Sequence, residues 1–148
     1  MDHRNSVVLV TGASSGIGRV TAKAFALRGA TVMAVARRGP LLDELIEECR
    51  PHSPASSHLV GNLGERAFAE HVVDETVARH GRIDVVVNNA AVPKHKWIYH
   101  LSADEAETVM QINFLSSMWT TLAAIPHMLR QGGGTIVNVS SFAAKVAP

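Results

Sequence analysis

The chain has 148 residues, 47% hydrophobic and 18% charged, which suits one domain with an ordinary core. Fourteen Lys and Arg oppose thirteen Asp and Glu, spread along the chain for a net charge of +1, and this excludes the basic footprint of a nucleic-acid binder. The lone Cys49 excludes an internal disulfide, no apolar run approaches the roughly 20 residues that span a bilayer, and the start lacks an apolar signal segment, so the expectation is a cytoplasmic domain.

Short β-branched runs alternate with longer helical ones. Val7 to Thr11 is continuously apolar, as in a strand buried on both faces. A turn from Gly12 to Gly18 follows, then a helix whose apolar stripe reads Ile17, Val20, Thr21, Ala24 and Leu27 and which stops at Gly29. Thr31 to Ala36 is a second strand. Leu41, Leu42, Leu45, Ile46 and Cys49 mark a second helix, with Cys49 as a buried structural thiol. Ser57 to Val60 reads as a third strand, and Phe68, Ala69, Val72, Val73 and Thr76 as the stripe of a third helix ending at Gly81. Ile83 to Val87 is the fourth strand. Lys94 to Trp97 is either a basic lip or a solvated loop, and Ser102 with Glu105 forms a capping box. The helix it opens is expected to run to about Arg130, kinked at Pro126, before a fifth strand from Thr135 to Val139.

Strictly alternating strands and helices predict an α/β fold, a doubly wound parallel sheet with helices on both faces. The fifth strand is followed by no further crossover helix, and an apolar strand left at a sheet edge is unusual. The expectation is therefore that residues 1–148 are an incomplete domain, cut after the fifth strand.

The chemistry concentrates in Thr11-Gly12-Ala13-Ser14-Ser15-Gly16-Ile17-Gly18, between a buried strand and a helix. Gly12 permits a tight exit from the strand, Gly16 a close approach of a diphosphate to the backbone, and Gly18 close packing of helix on sheet. Free N–H groups and the helix dipole there favour anions. The eight histidines lie on separate elements without ligand spacing, so no metal site is expected.

The Gly-x-x-x-Gly-x-Gly spacing resembles the short-chain dehydrogenase/reductase family. So do Asn88-Asn89-Ala90-Ala91 after the fourth strand, Asn113 within the long helix, and Ile136 to Ser141 around the fifth strand. The resemblance implies a Rossmann-like fold and a nicotinamide dinucleotide held by Gly12, Ser14, Ser15, Gly16, Ile17, Gly18, Asn62, Leu63, Asn89, Ala90 and Ala91. It also implies interconversion of a small-molecule carbonyl and alcohol by hydride transfer, with Ser141 as the catalytic serine and Asn113 as the asparagine of the proton relay. Copies of the chain would associate as a homo-oligomer through the long helix.

An NAD enzyme usually carries Asp or Glu about 20 residues past the glycines. Here Arg37 and Arg38 stand instead, either gripping a 2′-phosphate or forming a solvated helix start, with Arg19 as a further positive charge. NADP(H) is favoured, with NAD(H) the alternative. Asn62 stands where the family usually has aspartate, and Ala91 where it has glycine. Asn88 is either a ligand contact or a bridge between strands, and Asn113 has the alternative of bonding only to backbone. The family's Tyr-x-x-x-Lys pair is absent from these 148 residues: Tyr99, the only tyrosine, has no lysine four positions on. The competing reading is a non-catalytic dinucleotide-binding or regulatory module.

Overall fold

The computed structural model describes residues 3–93 and 96–141, so Lys94 and His95 of the suggested basic lip lie outside the described residues. Five parallel strands form one sheet in the order β3-β2-β1-β4-β5: β1 (Val7–Thr11), β2 (Thr31–Ala36), β3 (Ser57–Val60), β4 (Val85–Asn88) and β5 (Thr135–Asn138). Helices α1 (Gly16–Ala26), α2 (Gly39–Cys49) and α3 (Arg66–His80) connect the first four strands. Between β4 and β5 lie α4 (Ala103–Met110), a π-helical turn (Gln111–Leu115) and α5 (Ser116–Arg130).

Alternation along the central strand assigns the two layers. Val8 and Val10 face a core closed by α1 and α2, including Ala22, Leu42, Leu45 and Cys49. Leu9 faces the opposite core, with Val72 and Val73 of α3 and Ala124 and Met128 of α5. All five residues of β1 are buried, as a strand covered on both sides requires. The outer strand β5 is largely exposed, Val137 included.

Four elements differ from expectation. The buried face of α1 is Gly18, Ala22 and Ala26, while Ile17 and Val20 are 64% and 67% exposed and Leu27 is exposed beside them. The glycine turn draws α1 so close to the sheet that only small residues, spaced i, i+4, fit the seam. The fourth strand starts at Val85, because the Gln131 side chain takes the backbone of Ile83: its amide nitrogen donates to Ile83 O at 2.8 Å and its oxygen accepts from Ile83 N–H at 3.3 Å. β5 ends at Asn138, although Val139 N–H still donates to Asn88 O at 2.9 Å. The long helix reaches Arg130 as expected, with Pro126 inside α5, but is divided at 111–115 by the π turn. The capping box of Ser102 and Glu105 forms as expected, and Gly81 ends α3 in the left-handed region.

Candidate functional site

The chain builds β1, β2 and β3 outward in one direction, then crosses back over the sheet to lay β4 on the other side of β1. The loops leaving β1 and β4 therefore diverge, and a crevice opens at the carboxyl ends of the strands, where ligands of open α/β sheets bind. A cavity of about 240 Å³ occupies this point. Among the predicted cofactor residues Gly12, Ser14, Ser15, Arg37, Arg38, Asn62, Leu63, Asn89, Ala90 and Ala91 all line it. Gly16, Ile17 and Gly18 are outside the lining and form the first turn of α1, with the Ile17 side chain turned to solvent.

The three glycines separate by geometry. Gly12 has φ +66°, and a Cβ on it would lie 2.9 Å from Ala90 Cα. Gly16 has φ +55° with nothing within 4 Å of where its Cβ would stand, so this stretch of backbone faces open space. A Cβ on Gly18 would run into the Gly12 carbonyl and come within 2.5 Å of Asn89 Nδ2. Close approach of helix to turn is thus the constraint at Gly18, and an open backbone surface the property of Gly16.

The junction of β1 and β4 is fastened by groups that sequence reading gave less weight. Thr11 Oγ1 donates to Val87 O at 3.2 Å and accepts from the N–H groups of Asn89 (2.9 Å) and Ala90 (3.0 Å). Asn89 Nδ2 donates to Thr11 O at 3.1 Å. Asn88 is a bridge: Nδ2 donates to Asn138 Oδ1 at 2.9 Å and to Thr121 Oγ1 at 3.1 Å, while Oδ1 accepts from Thr120 Oγ1 at 2.7 Å. A polar side chain at the end of a buried strand is the only sequence signal Thr11 offered. Ala36, Gly61, Val92 and Ile112 also line the cavity, and each adjoins a strand end or a residue already singled out.

The electrostatics of the lining are one-sided. Among the described residues its charged side chains are Arg37 and Arg38, with no carboxylate beside them. Arg37 is exposed and has no hydrogen bond or ion pair to any described residue. Arg38 bends back over the glycine turn: Nη2 donates to Ser15 Oγ at 2.6 Å and to Ser14 Oγ at 3.0 Å, and Nε to Ser14 Oγ at 3.2 Å. Ser15 is the N-cap of α1, yet its side chain makes no capping bond, and the first turn carries no acidic residue. The first-turn N–H groups are therefore open to an anion.

Arg19 does not add to this charge. Its Nη1 donates to Leu41 O at 2.9 Å and its Nη2 to Glu48 Oε1 at 2.8 Å, tying α1 to α2. Hydrogen bonds from Lys23 and Arg19 hold the Glu48 carboxyl below the usual carboxylate range. Asn62 lines the cavity with Oδ1 already accepting from Gly64 N–H at 3.1 Å, which leaves that oxygen one further lone pair for a ligand amine.

Asn113 sits in the π turn and bonds to the backbone of the loop after β4: Oδ1 accepts from Val92 N–H at 2.8 Å and Nδ2 donates to Val92 O at 3.1 Å. Ser141 is exposed just past the end of β5, at the same edge of the sheet. Among the described residues no group of three or more His, Cys, Asp or Glu could hold a metal ion, and no helix is long and apolar enough to cross a membrane.

A crevice at the switch point, an uncapped helix start and a cationic wall fit a phosphorylated dinucleotide, and comparison with known proteins gives the family. The short chain dehydrogenase family model matches residues 6–148. The chain is 36% identical over 135 residues to the 3-oxoacyl-acyl-carrier-protein reductase FabG of Thermotoga maritima, covering 91% of this chain and 55% of that protein. It is 39% identical over 140 residues to 11-beta-hydroxysteroid dehydrogenase 1A of Arabidopsis thaliana, covering 93% of this chain and 40% of that one. The crystal structure of a short-chain dehydrogenase from Streptomyces avermitilis superposes with a TM-score of 0.90 at 31% identity, over 99% of this chain and 53% of that one. The chain thus spans about half the length of the relatives it matches. Fold, motifs and relatives together make it a member of the short-chain dehydrogenase/reductase family of oxidoreductases.

Proposed function

We propose that this chain binds NADP(H) in the crevice between β1 and β4 and serves an oxidoreductase that interconverts a carbonyl and an alcohol. The observation that carries the cofactor preference is the lining: among the described residues, two guanidiniums and no carboxylate at the exit of β2. A ribose diol is best recognised by a carboxylate acceptor, whereas a 2′-phosphate calls for charge-assisted donors. Arg37, without a partner among the described residues, is the group assigned to that phosphate. The open backbone at Gly16 and the first-turn amides of α1 receive the diphosphate.

When bound, the nicotinamide supplies or accepts the hydride. The residues of this chain position it and its substrate. Leu63, Ala90, Ala91 and Ile112 wall the cleft against water, and Asn113 holds the loop after β4 through Val92. Ser141 is assigned to hydrogen-bond the substrate oxygen, while Tyr99, in the turn Ile98–His100 ahead of α4 and with no lysine four positions on, is not assigned the proton transfer. The lack of a lysine four positions after Tyr99 supports the second reading, a non-catalytic dinucleotide-binding or regulatory module. A cytoplasmic homo-oligomer joined through α5 completes the proposal, in keeping with the exposed Leu122 and Leu129 of that helix.

Titration calorimetry with NADP⁺ and NAD⁺ in turn tests the reading. The native chain is expected to bind NADP⁺ more tightly. Arg37→Asp should weaken NADP⁺ by at least about tenfold, the scale of one charge-assisted pair, and leave NAD⁺ equal or improved. Unchanged relative affinities reject the assignment of Arg37.

A further inference from the structure

The two arginines at the β2 exit are in different states, and the difference has a chemical direction. Arg37 is unpaired among the described residues, whereas Arg38 is already engaged with Ser14 and Ser15. A guanidinium only donates, so both serine oxygens must accept. Neither hydroxyl donates to any described group, so both protons remain free to point toward an acceptor in the cleft. The bond to Ser15 has a second effect. Serine at an N-cap ordinarily turns its oxygen onto the N–H of the second or third helical residue, here Ile17 or Gly18. In this chain that capping bond is absent, and the oxygen lies 2.6 Å from Arg38 Nη2 instead.

We propose that Arg38 is a positioning residue: it clasps Ser15 away from the end of α1 and so keeps the first-turn amides uncapped for the diphosphate of the dinucleotide. This rests on the dinucleotide reading above and assigns Arg38 a task separate from that of Arg37. Arg37 discriminates the 2′-phosphate. Arg38 prevents the helix from satisfying itself, and it acts on the part common to NADP and NAD. Its Nη1 has no partner among the described residues, so the clasp uses only one side of the guanidinium.

Two measurements on the native chain, Arg38→Ala and Arg38→Ala/Ser15→Ala test it. Amide hydrogen exchange without ligand reads the cap directly: in Arg38→Ala the freed Ser15 caps α1, and exchange at Ile17 and Gly18 slows, returning to the native rate in the double variant. In calorimetry Arg38→Ala weakens NADP⁺ and NAD⁺ by the same factor, about fivefold on the scale of one N-cap. A loss confined to NADP⁺ overturns the clasp and makes Arg38 a direct phosphate contact. A native chain that binds neither dinucleotide refutes the proposed function instead. The clasp is then judged on exchange, where unchanged rates at Ile17 and Gly18 in Arg38→Ala overturn it.

Discussion

Gly18→Ala is the sharpest probe of how closely α1 is seated. The added methyl would meet the Gly12 carbonyl and stand 2.5 Å from Asn89 Nδ2, and the carbonyl belongs to backbone held in the β1–β4 junction. Overpacking against groups that cannot swing aside costs about 1–3 kcal/mol. Displacing the Asn89 amide from Thr11 O forfeits about 1 kcal/mol more. Alanine's better helix propensity returns at most about 1 kcal/mol. The balance is a loss of about 2 kcal/mol, or a fall of about 4–8 °C in Tm for a chain of this size. Gly16→Ala is the control: its methyl meets nothing, and only the φ of +55° opposes it, at about 1 kcal/mol. Urea and thermal denaturation followed by circular dichroism supply both numbers, with an NADP⁺ titration of each variant. Gly16→Ala should lose more affinity than its stability change explains, since its methyl enters the open approach to the backbone. A Gly18→Ala variant as stable as the native protein would refute the close-seam account of α1.

Two further outcomes follow from buried and half-buried polar groups. Asn88→Ala removes the bridge among β4, β5 and α5, although Thr120 Oγ1 keeps the Ser116 carbonyl at 2.9 Å, so denaturation should show a loss of about 1–2 kcal/mol, and a change within error would mean the bridge is dispensable. His80 touches Ser57 Oγ at 3.1 Å, and burial, with Arg79 adding to it, holds its pKa below the usual 6.5. The unfolded chain therefore binds more protons as pH falls below 6.5, so stability present above that value declines through the folded pKa; His80→Gln should flatten this part of the stability–pH profile, and an unaltered slope would exclude His80 as its source.

Much of the architecture is written locally. A continuously apolar β1, a helix stop at Gly81 and the Ser102–Glu105 box each state their structure within a few residues, and alternation of elements then leaves little freedom in topology. The strand-end loops that line the cleft were legible for the same reason. What was illegible depends on partners distant in the chain. Periodicity finds an apolar stripe on α1 but cannot know that the glycine turn pulls the opposite, small-residue face inward. The loss of Arg19 to Glu48 and of the Ile83 backbone to Gln131 involves positions 29 and 48 residues apart. The π turn that presents Asn113 to Val92 has no composition of its own, and its signature is the pair of hydrogen bonds it permits.

Thr11 bears on how such a protein can change. One hydroxyl indexes the two sides of the crevice to each other, touching Val87, Asn89 and Ala90, so the gap between them is set before any guest arrives. Arg37, to which we assign the 2′-phosphate, hangs from a neighbouring strand and takes no part in that fastening among the described residues. On the proposed assignment taste and gape are mechanically independent: a lineage could trade one coenzyme for another at position 37 while the jaw beneath keeps its width.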